Sequence, residues 1–204
     1  AVIRGLRLER PILCGWSYGP LVILDYLRHY GEESIGGIHM VAAVTELGSP
    51  SALAALTPQF LALMPQFFSR EVDESVRGLE SLLRMCFVQE PGAEALYTML
   101  GYSVSVPPFV REALLSRALD NDDVLSSIRK PVLITHGAND AVVKPEVVDQ
   151  HRAKVEHAQI HIMEGAGHAP FWDDAGLFNR QLAEFCEVIS ARTDSDLVTA
   201  AAKR

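Results

Sequence analysis

Three side chains far apart in this sequence carry the groups that serine-based acyl transfer needs. Ser17 offers a hydroxyl, His168 an imidazole and Asp140 a carboxylate. In that chemistry a neutral histidine takes the hydroxyl proton, the carboxylate holds the histidine in the right tautomer, and N–H donors stabilise the oxyanion. The order serine, acid, histidine is one of the familiar orders of such triads. These three residues are therefore the candidate catalytic groups.

Ser17 lies at the centre of a G-x-S-x-G stretch, Gly15-Trp16-Ser17-Tyr18-Gly19. The short apolar run 12–14 before it predicts a buried strand, and the apolar segment 21–27 after it is long enough for a helix. This context exposes the serine hydroxyl on a tight turn, and the two glycines are expected to keep side chains out of the crowded strand–helix junction. The Tyr18 backbone N–H, at the helix N-terminus, is the expected oxyanion donor.

The acid and the histidine also follow predicted strands. Asp140 ends the segment 131–140, in which an apolar run beginning at Pro131 leads into a turn. His168 lies in a glycine-rich turn after the alternating segment 159–163. Because the loops at the carboxyl ends of parallel strands converge on one edge of a sheet, we expect the three groups to meet there.

The rest of the chain predicts a parallel α/β core interrupted by helices. A second strand is expected within 35–44, and prolines punctuate apolar helical patterns from 46 to 127. One of these patterns is an amphipathic helix face formed by Val72, Val76, Leu79, Leu83 and Cys86. A last helix is expected to begin at Asp173 or Asp174. The predicted organisation is a first core segment over 1–45, a helical cap insertion over 46–127, a C-terminal core segment carrying acid and histidine over 128–190, and a polar tail over 191–204.

Composition excludes several other classes of protein. The chain has 204 residues, of which 49% are hydrophobic and 22% charged, as in one soluble domain. Its net charge is −8 and its basic residues are scattered, which argues against a nucleic-acid partner. No apolar run is long enough for a transmembrane helix, so no membrane partner is expected. Three widely spaced cysteines, at positions 14, 86 and 186, form no disulfide framework and favour a reducing, cytoplasmic location.

The segments 15–19, 134–140 and 165–171 resemble the three signature segments of the α/β-hydrolase fold, in that family's order. The resemblance covers about residues 1–190. It implies a parallel sheet with flanking helices and a helical cap. Ser17 would be the nucleophile, His168 the general base, Asp140 the orienting acid and the Tyr18 N–H one oxyanion donor. No cofactor and no metal is implied.

Members of this family carry further strands before the nucleophile strand, and a loop after one of them supplies a second oxyanion donor. The resemblance therefore predicts that the chain corresponds to the C-terminal part of a hydrolase and that the second donor lies outside it. Trp16 and Phe171 flank the catalytic positions, so they are candidate walls of a substrate pocket, with core packing as the alternative.

The expected reaction is cleavage of an ester-like bond in a small or medium, uncharged substrate, because the inserted segment is largely apolar. Perhydrolases, haloperoxidases and carbon–carbon bond hydrolases share the triad and remain alternatives. So does a non-catalytic, hydrolase-derived ligand-binding protein, while the oligomeric state is not indicated. Glu46 is a second candidate for the acid. A metal site at His136, His157 and His161 is disfavoured, because the four-residue spacing of the last two on a strand separates them by about 13 Å.

Overall fold

Four parallel strands form a sheet in the order β1-β2-β3-β4 in the computed structural model, which describes residues 2–202, with side chains for residues 2–191. The strands are β1 (Ile12–Trp16), β2 (Gly37–Val41), β3 (Val132–Gly137) and β4 (Gln159–Met163). The parallel register places the carboxyl ends of all four strands along one edge. This confirms the predicted α/β class with a parallel sheet and flanking helices.

Eleven helices accompany the sheet among the described residues. The core helices are α1 (Val2–Gly5), α2 (Gly19–Tyr30), α9 (Val147–Lys154), α10 (Pro170–Asp173) and α11 (Ala175–Ala202). Between β2 and β3 lie α3 (Pro50–Ala55), α4 (Pro58–Phe68), α5 (Val72–Met85), α6 (Ala93–Val104), α7 (Pro108–Leu115) and α8 (Asp122–Ser127). We call residues 50–127 the helical insertion.

Alternate residues of a strand point to opposite faces of the sheet. Different helices cover these two faces. Met40 and Ile134 join a core packed with apolar residues of α2, α8 and α9. On the other face Val41 packs against Phe178 of α11. The central strands β2 and β3 are buried along their whole length, whereas β1 and β4 at the edges are only partly buried. The helices packed on both faces hold the strands in place, and with them the strand ends that precede the candidate catalytic residues.

The helical insertion is held to the core by short, well-capped segments. Ser49 and Thr57 each accept a hydrogen bond from a backbone N–H three residues later, and each is followed by a proline at the first helical position. Leu47 and Leu119 exchange two backbone hydrogen bonds of 2.9 Å each, which closes the insertion at its base. The first two helices of the insertion and its base are therefore fixed by hydrogen bonds.

Helix α5 forms where the amphipathic pattern predicts it, and Leu79 and Cys86 of the predicted face are buried, but the buried face also includes residues outside that pattern. Val72 is 73% exposed, and the buried residues are Ser75, Gly78 and Leu79. The reason is a close backbone approach: a Cβ at position 78 would lie 2.9 Å from the carbonyl carbon of Gln66 in α4. The contact with α4 therefore determines which face of α5 is buried. The spacing of apolar residues in the sequence does not reveal that contact.

Helix α11 continues to Ala202, so most of the predicted polar tail, 191–204, lies on a helix, and its last two residues lie outside the described residues. Asp174 rather than Asp173 caps this helix, since its Oδ1 accepts a 2.9 Å hydrogen bond from the Leu177 N–H. No helix of the described residues combines the length and the apolar character that crossing a bilayer demands.

A buried histidine on β2 predicts a stability that depends on pH. His39 is fully buried, lies 2.9 Å from Thr135 Oγ1 through Nε2, and stacks on the ring of Phe178. Burial, followed by the charge of His161, lowers the pKa of His39 to about 4. Because an unfolded histidine has a pKa of about 6.5, the unfolded chain binds the extra proton first as the pH falls. We expect His39 alone to remove about 2 kcal/mol from the free energy of unfolding between about pH 7 and pH 5.

Urea titrations of wild type and His39→Gln at the two pH values measure this effect. The variant is expected to lose about 2 kcal/mol less than wild type over that interval. Its pH dependence does not vanish, because burial also lowers the pKa of His151 to about 4. His29→Gln, at an exposed position, is the matched control for the loss of a histidine. An unchanged dependence in His39→Gln would contradict the prediction.

Candidate active site

Ser17 lies on the sharp turn between β1 and α2, in a backbone conformation that favours glycine. Its φ is +56°, in the left-handed region that L-residues rarely adopt. Two hydrogen bonds hold this strained turn: the Ser17 N–H donates to Val41 O and the Val44 N–H donates to Ser17 O, both at 2.9 Å. The hydroxyl is thereby presented at the carboxyl edge of the sheet.

The two glycines around Ser17 differ in their surroundings. A Cβ on Gly15 would lie 2.7 Å from the carbonyl carbon of Gly19 and 2.8 Å from the nitrogen of Pro20, so strand and helix do crowd there. A Cβ on Gly19 would meet nothing within 4 Å. Position 15 therefore requires a small residue, as predicted. The prediction is wrong at position 19, because there is open space beside that residue.

The hydroxyl, the imidazole and the carboxylate form one continuous hydrogen-bonded line. His168 Nε2 lies 2.8 Å from Ser17 Oγ, and His168 Nδ1 lies 2.8 Å from Asp140 Oδ2. A carboxylate accepts at Nδ1, so the proton of a neutral imidazole lies on Nδ1 and Nε2 is left to accept from the serine O–H. Asp140 and His168 are both buried. The structure thus brings together the three side chains that the sequence singled out.

Asp140 is fixed by four donors in addition to its position in the turn. Its Oδ1 accepts from the backbone N–H of Val142 and Val143 at 2.8 and 2.9 Å. His136 Nε2 lies 3.1 Å from Oδ2, on the same oxygen that His168 contacts. Burial on its own would raise the pKa of Asp140, but the hydrogen bonds and charges of His136 and His168 lower it to about 2. The carboxylate is therefore ionised and immobile at neutral pH.

Three contacts hold the turn that carries His168. The Trp16 indole N–H donates to His168 O at 2.7 Å, and the Ala169 N–H donates to Cys86 O at 2.9 Å. Asp173 accepts from the Gly167 N–H at 2.8 Å through Oδ2 and from the Val88 N–H at 3.0 Å through Oδ1. The sequence suggested Asp173 only as a helix cap, and this bridging role was missed because no pattern links it to position 88.

The Tyr18 backbone N–H lies next to the hydroxyl and is available to a ligand. Tyr18 is the N-cap residue of α2, so its N–H falls outside the helical ladder. Within the described residues this N–H donates to no backbone or side-chain acceptor. A helix N-terminus with an uncommitted donor favours negative charge.

A cavity of about 340 Å³ opens onto Ser17 and His168. The core contributes Trp16, Tyr18 and Val142 to its wall. The helical insertion contributes the remaining lining residues, Phe60, Phe67, Leu82, Cys86, Arg111, Leu114 and Leu115. The size is typical of a site for a small molecule.

The two predicted wall residues have different positions. Trp16 lines the cavity, with its ring centroid 5.4 Å from that of His168. Phe171 is not among the lining residues; its ring packs edge-on against Trp16 at 5.2 Å and against Phe178 at 5.9 Å. The short helix α10 directs this ring back into the core, so Phe171 supports the wall without forming it.

The remaining candidates do not take part in the line of hydrogen bonds through His168, although Glu46 lines a smaller cavity of about 130 Å³ that Ser17 also lines. Glu46 accepts hydrogen bonds from Ser51, so the alternative acid does not contact His168. His157 Nε2 contacts Lys130 O, and His161 contacts Gln159. Among the residues whose side chains are described, no group of three or more His, Cys, Asp or Glu is arranged to hold a metal ion.

Comparison with known proteins identifies a family and several relatives of this chain. The model of the Alpha/beta hydrolase family matches residues 1–181. The chain is 25% identical over 203 residues to the biotin biosynthesis bifunctional protein BioHC of Cellvibrio japonicus, covering 97% of this chain and 39% of that protein. It is 25% identical over 183 residues to a pimeloyl-[acyl-carrier protein] methyl ester esterase of Neisseria meningitidis, covering 86% of this chain and 68% of the relative. The chain thus spans about two fifths to two thirds of these relatives.

A solved structure supports the same likeness in three dimensions. The crystal structure of esterase RhEst1 from Rhodococcus sp. ECU1013 superposes with a TM-score of 0.83 at 31% sequence identity, covering 93% of this chain and 69% of that one. Both the sequence and the fold are therefore similar to those of esterases.

Proposed function

The chain belongs to the alpha/beta hydrolase family, and from that premise we propose that it is a serine hydrolase that cleaves an ester bond through an acyl-enzyme. The observation that carries the proposal is the line of hydrogen bonds from Asp140 through His168 to Ser17, each 2.8 Å long. Hydrogen-bond contact from nucleophile to base and from base to acid is the geometry that this chemistry requires.

In the proposed reaction His168 Nε2 takes the proton of the Ser17 hydroxyl as Ser17 Oγ attacks the ester carbonyl carbon. The Tyr18 N–H donates to the oxyanion that forms on the carbonyl oxygen. His168 then gives its proton to the leaving alcohol, and the acyl group stays on Ser17. A water molecule, deprotonated by the same imidazole, attacks the acyl-enzyme, and His168 returns that proton to Ser17 Oγ as the acid is released. Asp140 stabilises the imidazolium in both half-reactions and stays ionised.

Two further observations bear on the bond that is cleaved and on the size of the substrate. Several relatives are named as esterases, which supports an ester over other acyl compounds. The largely apolar wall that the helical insertion contributes supports a substrate with an apolar body of small or medium size. We propose that residues 46–127 act as a cap that roofs the site.

A fluorophosphonate probe tests whether Ser17 is an activated nucleophile. We expect one probe molecule per chain on wild type, located at Ser17 by peptide mass spectrometry, and none on Ser17→Ala. Ser105, which is exposed and lies outside the cavity, provides the control, and Ser105→Ala keeps the wild-type labelling. Absence of labelling on the folded wild-type protein would favour the ligand-binding alternative over an enzyme.

A further inference from the structure

Arg111, on α7 of the helical insertion, is a buried cation inside the cavity. It exposes 6% of its surface and lines the same cavity as Ser17 and His168. Arginine is rarely buried to this extent without an acidic partner. The carbon at the centre of its guanidinium also lies 5.1 Å from the centroid of the Phe67 ring, which forms part of the same wall.

The hydrogen bonds of Arg111 all go to uncharged acceptors. Nε donates to Phe67 O at 3.0 Å, Nη1 to Val106 O at 2.6 Å and Nη2 to the Ser75 hydroxyl at 2.5 Å. A guanidinium has five N–H groups, so each terminal nitrogen keeps one N–H outside these bonds. No Asp or Glu among the described side chains pairs with Arg111.

The charge of Arg111 is therefore not balanced by any acidic side chain among the described residues. Neutral acceptors satisfy donor geometry, but they do not replace the countercharge that a buried ion requires. No acidic residue lines the cavity either, and Asp140 lies behind His168, bonded to it. An anionic group that enters the cavity could accept from the N–H groups that Nη1 and Nη2 keep, and a guanidinium pairs well with a carboxylate.

From these observations we propose that Arg111 binds a carboxylate of the substrate, so that the ester cleaved at Ser17 carries an anionic group besides its apolar body. The chemical class that fits is an ester with a free carboxylate either in its acyl part, as in the monoester of a dicarboxylic acid, or in its alcohol part. This inference rests on the proposed function and narrows it. It differs from the uncharged substrate expected from the sequence. The spacing of apolar residues in the inserted helices does not show which polar residue faces the cavity.

Arg111 also joins three parts of the helical insertion, since its acceptors lie in α4, in α5 and before α7. This structural role uses three of its five N–H groups, but it does not supply an acidic partner for the charge. The experiment must therefore separate recognition of an anion from general support of the insertion.

Paired substrates of matched length separate the two roles, because the ratio of their kcat/KM values does not depend on the fraction of folded enzyme. The first pair is mono-p-nitrophenyl suberate with p-nitrophenyl octanoate. A second pair, 4-(carboxymethyl)phenyl acetate with 4-ethylphenyl acetate, places the carboxylate in the alcohol. We expect wild type to prefer the carboxylate-bearing ester of at least one pair by about tenfold or more.

Arg111→Gln is expected to reduce that preference by about tenfold or more, and Arg111→Lys to keep part of it because the charge remains. Arg77→Gln is the matched control, since Arg77 is exposed on α5 and lies outside the cavity, and it should keep the wild-type preference. Equal kcat/KM values within both pairs on wild type, or an unchanged preference in Arg111→Gln, would overturn the inference. If Ser17 takes no fluorophosphonate and neither ester is cleaved, the proposed function falls together with it; cleavage of the neutral esters alone overturns the carboxylate site only.

Discussion

Asp140→Asn is expected to lower kcat for ester hydrolysis by about 10⁴-fold with little change in KM. The amide would keep the two backbone hydrogen bonds that Asp140 Oδ1 accepts from Val142 and Val143, and its NH₂ group would then face His168 Nδ1. Nδ1 would have to accept, so the imidazole proton would move to Nε2. In that tautomer His168 cannot take the proton of Ser17, although every side chain stays in position.

The same substitution has a predictable effect on stability. Because the pKa of Asp140 in the folded protein is about 2, below the usual value of about 3.9, its contribution is complete above about pH 4 and is lost as the pH falls toward 2. Asp140→Asn should therefore remain folded at neutral pH, with a free energy of unfolding lower by about 2 kcal/mol, and should lose less stability on acidification.

Steady-state kinetics with a p-nitrophenyl ester measures kcat and KM, and urea titrations measure the loss of stability. The control is Glu46→Gln, since Glu46 is the alternative acid and contacts Ser51. We expect this control to keep wild-type kcat within about threefold. A larger loss in Glu46→Gln than in Asp140→Asn would show that the acid has been assigned to the wrong carboxylate.

Gly137→Ala should damage both the fold and the site. A methyl group at this position, the last of β3, would overlap the carbonyl oxygens of Ala166 and Gly167. These are backbone atoms in the turn that carries His168, so relief requires moving the turn away from the strand. We expect a loss of about 3 kcal/mol in the free energy of unfolding and a loss of about 10²-fold in kcat.

Gly165→Ala provides a matched control in the same turn, because a Cβ there meets nothing within 4 Å. Thermal unfolding and ester hydrolysis of the two variants should differ clearly, with Gly165→Ala close to wild type in both. If Gly137→Ala were as stable and as active as Gly165→Ala, the close approach between β3 and the turn would be an incorrect account of how His168 is positioned.

Local patterns in the sequence were sufficient to predict the elements that carry the candidate site. The strand at 159–163 coincides with β4, and the predicted strands near residues 12 and 132 correspond to β1 and β3. The strand predicted within 35–44 is shorter, Gly37–Val41, because apolar residues continue into the buried loop after it. Chain order and the convergence of parallel strand ends then suffice to bring Ser17, Asp140 and His168 to one edge.

Features set by contacts between distant segments were not predictable in this way. The buried face of α5 depends on Gly78 approaching the backbone of α4, and the position of Phe171 depends on the direction of α10. Asp173 joins two loops that are separated by more than eighty residues in the chain. Because arginine is charged, the sequence alone would place Arg111 on the surface. The packing of three helices places it inside the cavity.

The groups proposed to react all come from the sheet edge, whereas most of the cavity wall comes from residues 50–127. Under the proposed function, bond cleavage and most of the choice of substrate are therefore encoded in separate stretches of the gene. Duplicated copies could diverge by substitutions within the inserted stretch, each acquiring a new substrate while inheriting the same chemistry. Directed evolution gains the same freedom, because randomising only the inward-facing positions of that stretch alters selectivity without touching the residues that cleave the bond.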